Sequence, residues 1–213
     1  MTFRHQELGR RMGDSMRVPG LWAIAVLLAA CTTLPAVNRT APELQGLWSA
    51  QQRDLAQIHS WNVSGRLGIQ TEKEGWHISF RWQQEDMLYH IVMSGPLGQA
   101  AAELQGTSQG VTLLLSDGKS VMADDPDQLL AQQLGWRVPI KGLYYWVRGL
   151  PVPEAAETHV LDGEGRLQTL DQSGWHIAYR RYGDFAGKAL PTKIFLDNDD
   201  LKVRLVIDEW TLS

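Results

Sequence analysis

One thiol, a scatter of imidazoles and an excess of indoles are the side chains through which this chain could act. Cys31 is the only cysteine, so it has no intramolecular disulfide partner. It stands directly after the small residues Ala29 and Ala30 at the end of an apolar run, a position suited to covalent modification of the thiol rather than to cross-linking. The six histidines are dispersed; His77 and His176 fall on the polar side of alternating segments, where they face solvent. The acidic pairs Asp124-Asp125 and Asp199-Asp200 lie in turn-like surroundings and read as solvated surface. No His-Glu-x-x-His, P-loop, Gly-x-Ser-x-Gly or paired-cysteine motif occurs. No catalytic residue or metal ligand is nominated, and no cofactor is expected.

The segment ahead of Cys31 explains its setting. Arg4, Arg10, Arg11 and Arg17 precede the apolar run Leu21 to Ala30, which is far shorter than the roughly 20 residues of a membrane-spanning helix. Basic, then apolar, then small is the layout of an export signal. Leu28-Ala29-Ala30-Cys31 resembles the lipobox at which a cysteine is acylated and the signal cleaved. Residues 1–30 are therefore expected to be a lipoprotein signal peptide, with Met12 or Met16 as more typical starts. Two or more acyl chains make a stable anchor where one is marginal. Thr32 stands where an Asp would hold a lipoprotein at the inner membrane, which points to the outer membrane. Without residues 1–30 the formal charge falls from −4 to −6; with no basic run left, nucleic acid is an unexpected partner.

Residues 31–42 contain Pro35 and Pro42 and little periodicity, and read as an acylated tether to a single domain over 43–213. Leu44, Leu47, Trp48, Leu55 and Ile58 share helical spacing over 43–59. The period then changes to two. Strands are expected at 63–69, 76–82, 89–93, 100–105, 111–115 and 119–122, then at 166–172, 175–182, 192–197 and 202–210. Between the two groups, Asp124-Asp125-Pro126 opens a short helix to about residue 134, and a second helix follows Pro139, with Leu143, Trp146, Val147 and Leu150 on one face. About ten strands and short helices make a mainly β, α+β chain. The recurrence of Gly-Trp-His-Ile at 75–78 and 174–177 is too brief to establish a repeat.

Nine tryptophans are unusual for this length. Periodicity sends Trp76, Trp82, Trp146, Trp175 and Trp210 inward, together with Phe80 and Leu143. These side chains either fill an aromatic core or line an apolar cavity, and a curved but unclosed sheet is a common host for the latter. Sequence leaves the two open. Ser94-Gly95-Pro96-Leu97-Gly98 places Leu97 at a turn tip, where it is either tucked against the sheet or presented as an exposed apolar finger for membrane or partner contact.

Taken in order, Gly65-Arg66-Leu67, Phe80-Arg81-Trp82-Gln83, Gly95-Pro96-Leu97-Gly98, Tyr145-Trp146-Val147-Arg148-Gly149-Leu150-Pro151, Gly174-Trp175 with Tyr179, Leu190-Pro191 and Ile207-Asp208-Glu209-Trp210 resemble the outer-membrane lipoprotein receptor family LolB. The resemblance implies an incomplete antiparallel β-barrel with helices as a lid over an acyl-binding cavity. It further implies a monomeric, non-enzymatic receptor on the periplasmic face of the outer membrane. Such a receptor accepts lipoproteins from the periplasmic carrier LolA and inserts them among outer-membrane lipids, with Leu97 delivering the cargo. The rival readings are an anchored cell-envelope hydrolase, which requires a polar catalytic cluster in its pocket, and a structural envelope lipoprotein, which requires a filled core.

Overall fold

The computed structural model describes residues 39–213 apart from Leu97, Gln99 and the side chain of Ala100. The expected signal peptide, Cys31 and most of the tether lie outside the described residues.

Helix α1 (Ala41–Ala56) starts slightly ahead of the expected residue 43, because Thr40 and Glu43 form a capping box in which the Thr40 N–H donates to the Glu43 carboxylate at 2.7 Å. A meander follows: β1 (Ser60–Gln70), β2 (Gly75–Glu85), β3 (Leu88–Ser94), β4 (Ala100–Thr107), β5 (Gly110–Leu115) and β6 (Ser120–Ala123). Two short helices come next. Asp125 caps α2 (Pro126–Leu134) by accepting from the N–H groups of Asp127 and Gln128 at 2.8 and 3.2 Å, and α3 (Ile140–Trp146) follows Pro139. A second meander closes the chain with β7 (Glu157–Leu161), β8 (Leu167–Gln172), β9 (Trp175–Phe185), β10 (Lys188–Asp197) and β11 (Lys202–Leu212).

All eleven strands belong to one antiparallel sheet in the order β6-β5-β4-β3-β2-β1-β11-β10-β9-β8-β7. First and last strands of the two meanders, β1 and β11, pair at its middle, while β6 and β7 are left as unpaired edges. The barrel is therefore incomplete. Alternation sets one face inward: Trp61, Val63 and Ile69 of β1, Ile78, Phe80 and Trp82 of β2, and Val203, Leu205, Ile207 and Trp210 of β11 are buried, and the side chains between them mostly face out. At the β1–β11 seam the register slips after Ser64. There a Cβ on Gly65 would lie 2.1 Å from the Val206 carbonyl oxygen, so the close approach of the two backbones requires glycine. Among the described residues no helix is long and apolar enough to cross a membrane.

The eleventh strand is β7, which alternation does not reveal. It is a sheet edge whose half-buried positions are Glu157, His159 and Leu161. His159 lies against Trp48 of α1 with ring centroids 5.8 Å apart and pairs with Glu157 at 3.4 Å. Facing a helix flank, the strand carries polar side chains where a core-facing one would be apolar. The β9–β10 hairpin also runs longer than expected. Pro191 shifts its register and reads as a strand boundary, but pairing resumes beyond it to a turn at Ala186 and Gly187, both at positive φ.

Candidate functional site

The helices cover the inward face in two different ways, and α3 spans both. Its C-terminal end is fixed by directional bonds. Trp146 Nε1 donates to Gln172 Oε1 at 2.9 Å, the same oxygen accepts from the Val152 N–H at 2.8 Å, and the Gln172 amide returns a bond to the Val152 carbonyl at 3.0 Å. Tyr179, buried on β9, donates its hydroxyl to the Trp146 carbonyl at 3.0 Å, and burial holds that phenol far above its ordinary titration range. Gly142 makes room for the large ring one turn on: a Cβ there would meet Trp146 at 2.8 Å. Trp175 lies alongside, 6.1 Å from Trp146.

Arg148 completes this anchor. It is 1% exposed and donates from Nη1 to the Ile58 carbonyl at 2.6 Å and from Nε to the Tyr144 carbonyl at 3.0 Å, with its guanidinium 4.0 Å from the Tyr144 ring centroid. No carboxylate among the described residues pairs with it, and burial pushes the guanidinium below its ordinary value. A second aromatic group fills the nearby core: Trp61 lies 4.8 Å from Trp82 and 5.3 Å from Trp210, whose Nε1 donates to the Pro191 carbonyl at 3.0 Å.

The other end of α3, with α2 and the loop between them, covers a partly enclosed space of about 80 Å³. Its walls are Leu67, Ile69, Phe80, Trp82, Ile91, Met93, Leu104, Leu196, Val203 and Leu205 from the sheet. Its roof is Leu130, Trp136, Val138, Ile140, Leu143 and Val147. No titratable side chain is among them. The helical roof is pinned to itself through Asp127, whose Oδ1 accepts from the Ile140 N–H at 2.8 Å, and burial raises that carboxyl above its ordinary value.

The expected site residues thus separate. Phe80, Trp82 and Leu143 line the space. Trp76 is not part of that lining: it is half-buried, edge-on to Trp136 at 5.7 Å, and borders a separate open groove. Trp146, Trp175 and Trp210 belong to the filled region. Trp136 was not expected: it stands in the loop between two helices, where no periodicity marks a side chain as inward. Cys31 and Leu97 lie outside the described residues. Among the described neighbours, the Gly98 N–H donates to the Gly95 carbonyl at 2.9 Å, and Pro96 is exposed.

Elsewhere, a larger open groove of about 810 Å³ lies along the β1–β2 hairpin and β11. Its lining mixes the charged side chains Arg66, Lys73, Glu74, Lys202 and Arg204 with the apolar Leu67, Ile69, Trp76 and Ile78. His77 and His176 are exposed, as alternation requires. Among the described residues no three His, Cys, Asp or Glu side chains are placed to hold a metal ion.

Comparison with known proteins gives this geometry its context. The sequence profile of the family described as "Outer membrane lipoprotein LolB" matches residues 59–210. Outer-membrane lipoprotein LolB of Nitrosococcus oceani is 41% identical over 189 residues, covering 88% of this chain and 94% of the relative. That of Pseudomonas paraeruginosa is 37% identical over 187 residues, covering 86% and 90%.

The chain belongs to the LolB family.

It is with that family an outer-membrane lipoprotein of the Gram-negative lipoprotein-localisation system. The fold reaches further than the sequence. A LolA superfamily protein from Nitrosomonas europaea superposes with a TM-score of 0.53 at 8% identity, covering 82% of this chain and 94% of that one.

Proposed function

We propose that this LolB-family chain receives acylated lipoproteins from the periplasmic carrier LolA in the space beneath α2 and α3, and inserts them into the outer membrane. Triacylated Cys31 holds it to the periplasmic face of that membrane. The observation that carries the reading is a buried space walled by apolar side chains and roofed by helices. At about 80 Å³ the space is well below the roughly 300 Å³ at which ordinary ligand pockets begin, so it is the closed state of a larger site. Opening requires the α2–α3 roof to lift from the sheet, and the hydrogen-bonded end of α3 at Trp146 supplies the pivot.

The energetics need no nucleotide. Each CH₂ withdrawn from water is worth about 0.8 kcal/mol, so an acyl chain cannot cross the periplasm free. It passes from one apolar cavity to the next and then to a bilayer, downhill throughout. Leu97, at its turn tip, buries roughly 1.5 to 3 kcal/mol in an acyl layer, enough to turn the cavity mouth toward the membrane while Cys31 provides the anchor.

The test loads the receptor with a labelled lipoprotein from LolA and follows uptake and delivery to liposomes separately. Wild type completes both. Leu97→Glu accepts cargo normally and delivers it several-fold more slowly, and Leu97→Ile behaves nearly as wild type. Delivery by Leu97→Glu at the wild-type rate removes the finger from the mechanism. Failure of the wild-type protein to accept cargo removes the receptor reading. A mature N-terminus other than acylated Cys31, found by mass spectrometry, removes the anchor.

A further inference from the structure

Trp76, Ile78, Phe80 and Trp82 follow one another on the same face of β2 but border different spaces. Trp76 and Ile78 line the open groove of about 810 Å³, and Phe80 and Trp82 line the space beneath α2 and α3. Leu67 and Ile69 of β1, which pair with Ile78 and Trp76, line both. Beyond Trp82 the interior is filled: its ring centroid lies 4.8 Å from that of Trp61, which is 0% exposed, absent from the cavity lining and packed against Trp210. Groove, cavity and filled core thus succeed one another along a single strand. The groove also touches Pro96, the neighbour of Leu97 in sequence, so its open end lies beside the turn that carries the finger. From Trp76 to Trp82 the strand runs about 20 Å, against roughly 15 Å for half the hydrocarbon core of a bilayer, the depth an ordinary acyl chain fills.

We infer that groove and cavity are two parts of one acyl track, entered at the β1–β2 hairpin, and that the Trp82 indole is its end stop and sets the longest chain the protein holds fully out of water. The inference rests on the acyl-binding reading above and adds to it a direction and a length limit. A stop must stay in place when the roof lifts, and Trp82 is fixed from the sheet side. Its Nε1 donates to Gln84 Oε1 at 2.9 Å, and the Gln84 amide donates to the Asp86 carbonyl at 2.7 Å. Every partner in that chain belongs to β2 or to the turn after it, and Trp61 backs the ring from β1. Ile91 of β3 and Leu104 of β4 continue the layer sideways in register with Trp82. The apolar walls grip a chain wherever it lies, because apolar contact is non-directional. Length is therefore read only where the track ends.

The test uses the soluble protein carrying Cys31→Ala behind an ordinary cleavable signal, which leaves residues 39–213 untouched. The probes are saturated 1-monoacylglycerols from octanoyl to arachidoyl, each kept below its aggregation concentration. Wild-type affinity rises about threefold to fourfold with each added methylene up to a break, and is flat beyond it. Trp82→Phe moves the break to longer chains and Trp82→Leu moves it further, while chains shorter than the wild-type limit bind as before. In wild type, a diazirine on the last carbon of the limiting chain labels Trp82, Ile91 or Leu104, and a diazirine beside the carbonyl labels Trp76 or Ile78. That labelling decides the matter even if both variants fail to fold. Affinity that climbs without a break, a break that stays where it was in the folded variants, or a terminal label confined to the groove overturns the inference while leaving acyl binding standing. Failure of wild type to bind any member of the series overturns the acyl-binding reading and this inference with it.

Discussion

The two ends of α3 rest on the same sheet and are held in opposite ways. Around Trp146 the side chains are large, aromatic and tied by directional bonds to Gln172, Tyr179 and the backbone, and the space between elements is filled. Around Leu143 and Ile140 the contacts are apolar and a void remains. Hydrogen bonds specify one arrangement, because a misplaced donor is left unpaired. Apolar contact is non-directional, and its strength depends on area removed from water rather than on partner. On the proposed function, an acyl chain takes the place of protein contacts at one end while the other stays fixed, and a single helix seven residues long joins a hinge to a lid.

That contrast breaks most visibly at Gln172. Gln172→Leu leaves the Trp146 indole and the Val152 N–H as unpaired buried donors, and the expected loss is about 2 to 4 kcal/mol in chemical denaturation. A change below about 1 kcal/mol would mean that the filled end is no more tightly specified than the cavity. Arg148→Leu acts at the same end, and the loss is expected near 3 kcal/mol because the Ile58 and Tyr144 carbonyls lose their donor.

At the cavity the balance inverts. Val138→Phe adds a ring to the roof, fills part of the void, and should lower affinity for an acyl probe at least tenfold, while stability changes by less than about 1.5 kcal/mol. Unaltered probe affinity would place the chain elsewhere on the molecule. The smallest effect concerns the seam between α2 and α3. Burial raises the Asp127 carboxyl, so the stability linked to its protonated form is fully present below the ordinary carboxylate range. It is lost as pH rises through the elevated value. Asp127→Asn keeps the acceptor for the Ile140 N–H and should flatten that dependence, leaving neutral-pH stability within about 0.5 kcal/mol of wild type. Persistence of the pH dependence in Asp127→Asn would assign it to another group.

Most of the sheet was legible because period-two alternation records which face is buried. It marked ten of the strands and placed Phe80 and Trp82 on the inner face. Strand β7 was hidden because its partner is the flank of α1 and its half-buried positions are Glu157 and His159. The division between core and cavity was also hidden. Alternation sends Trp82 and Trp210 inward alike, but only the registry of eleven strands and the bonds of these rings to Gln84 and Pro191 decide which ring meets a void. Trp136 left no trace in periodicity, since its loop position is fixed by the helices on either side.

Site-specific crosslinking tests the division directly. A photoreactive phenylalanine analogue replaces Phe80 in one protein and Trp210 in another, each is loaded with a lipoprotein from LolA, and crosslinks to the acyl chains are found by mass spectrometry. The account predicts adducts from position 80 and none from position 210. Equal labelling at both, or labelling at 210 alone, would contradict it.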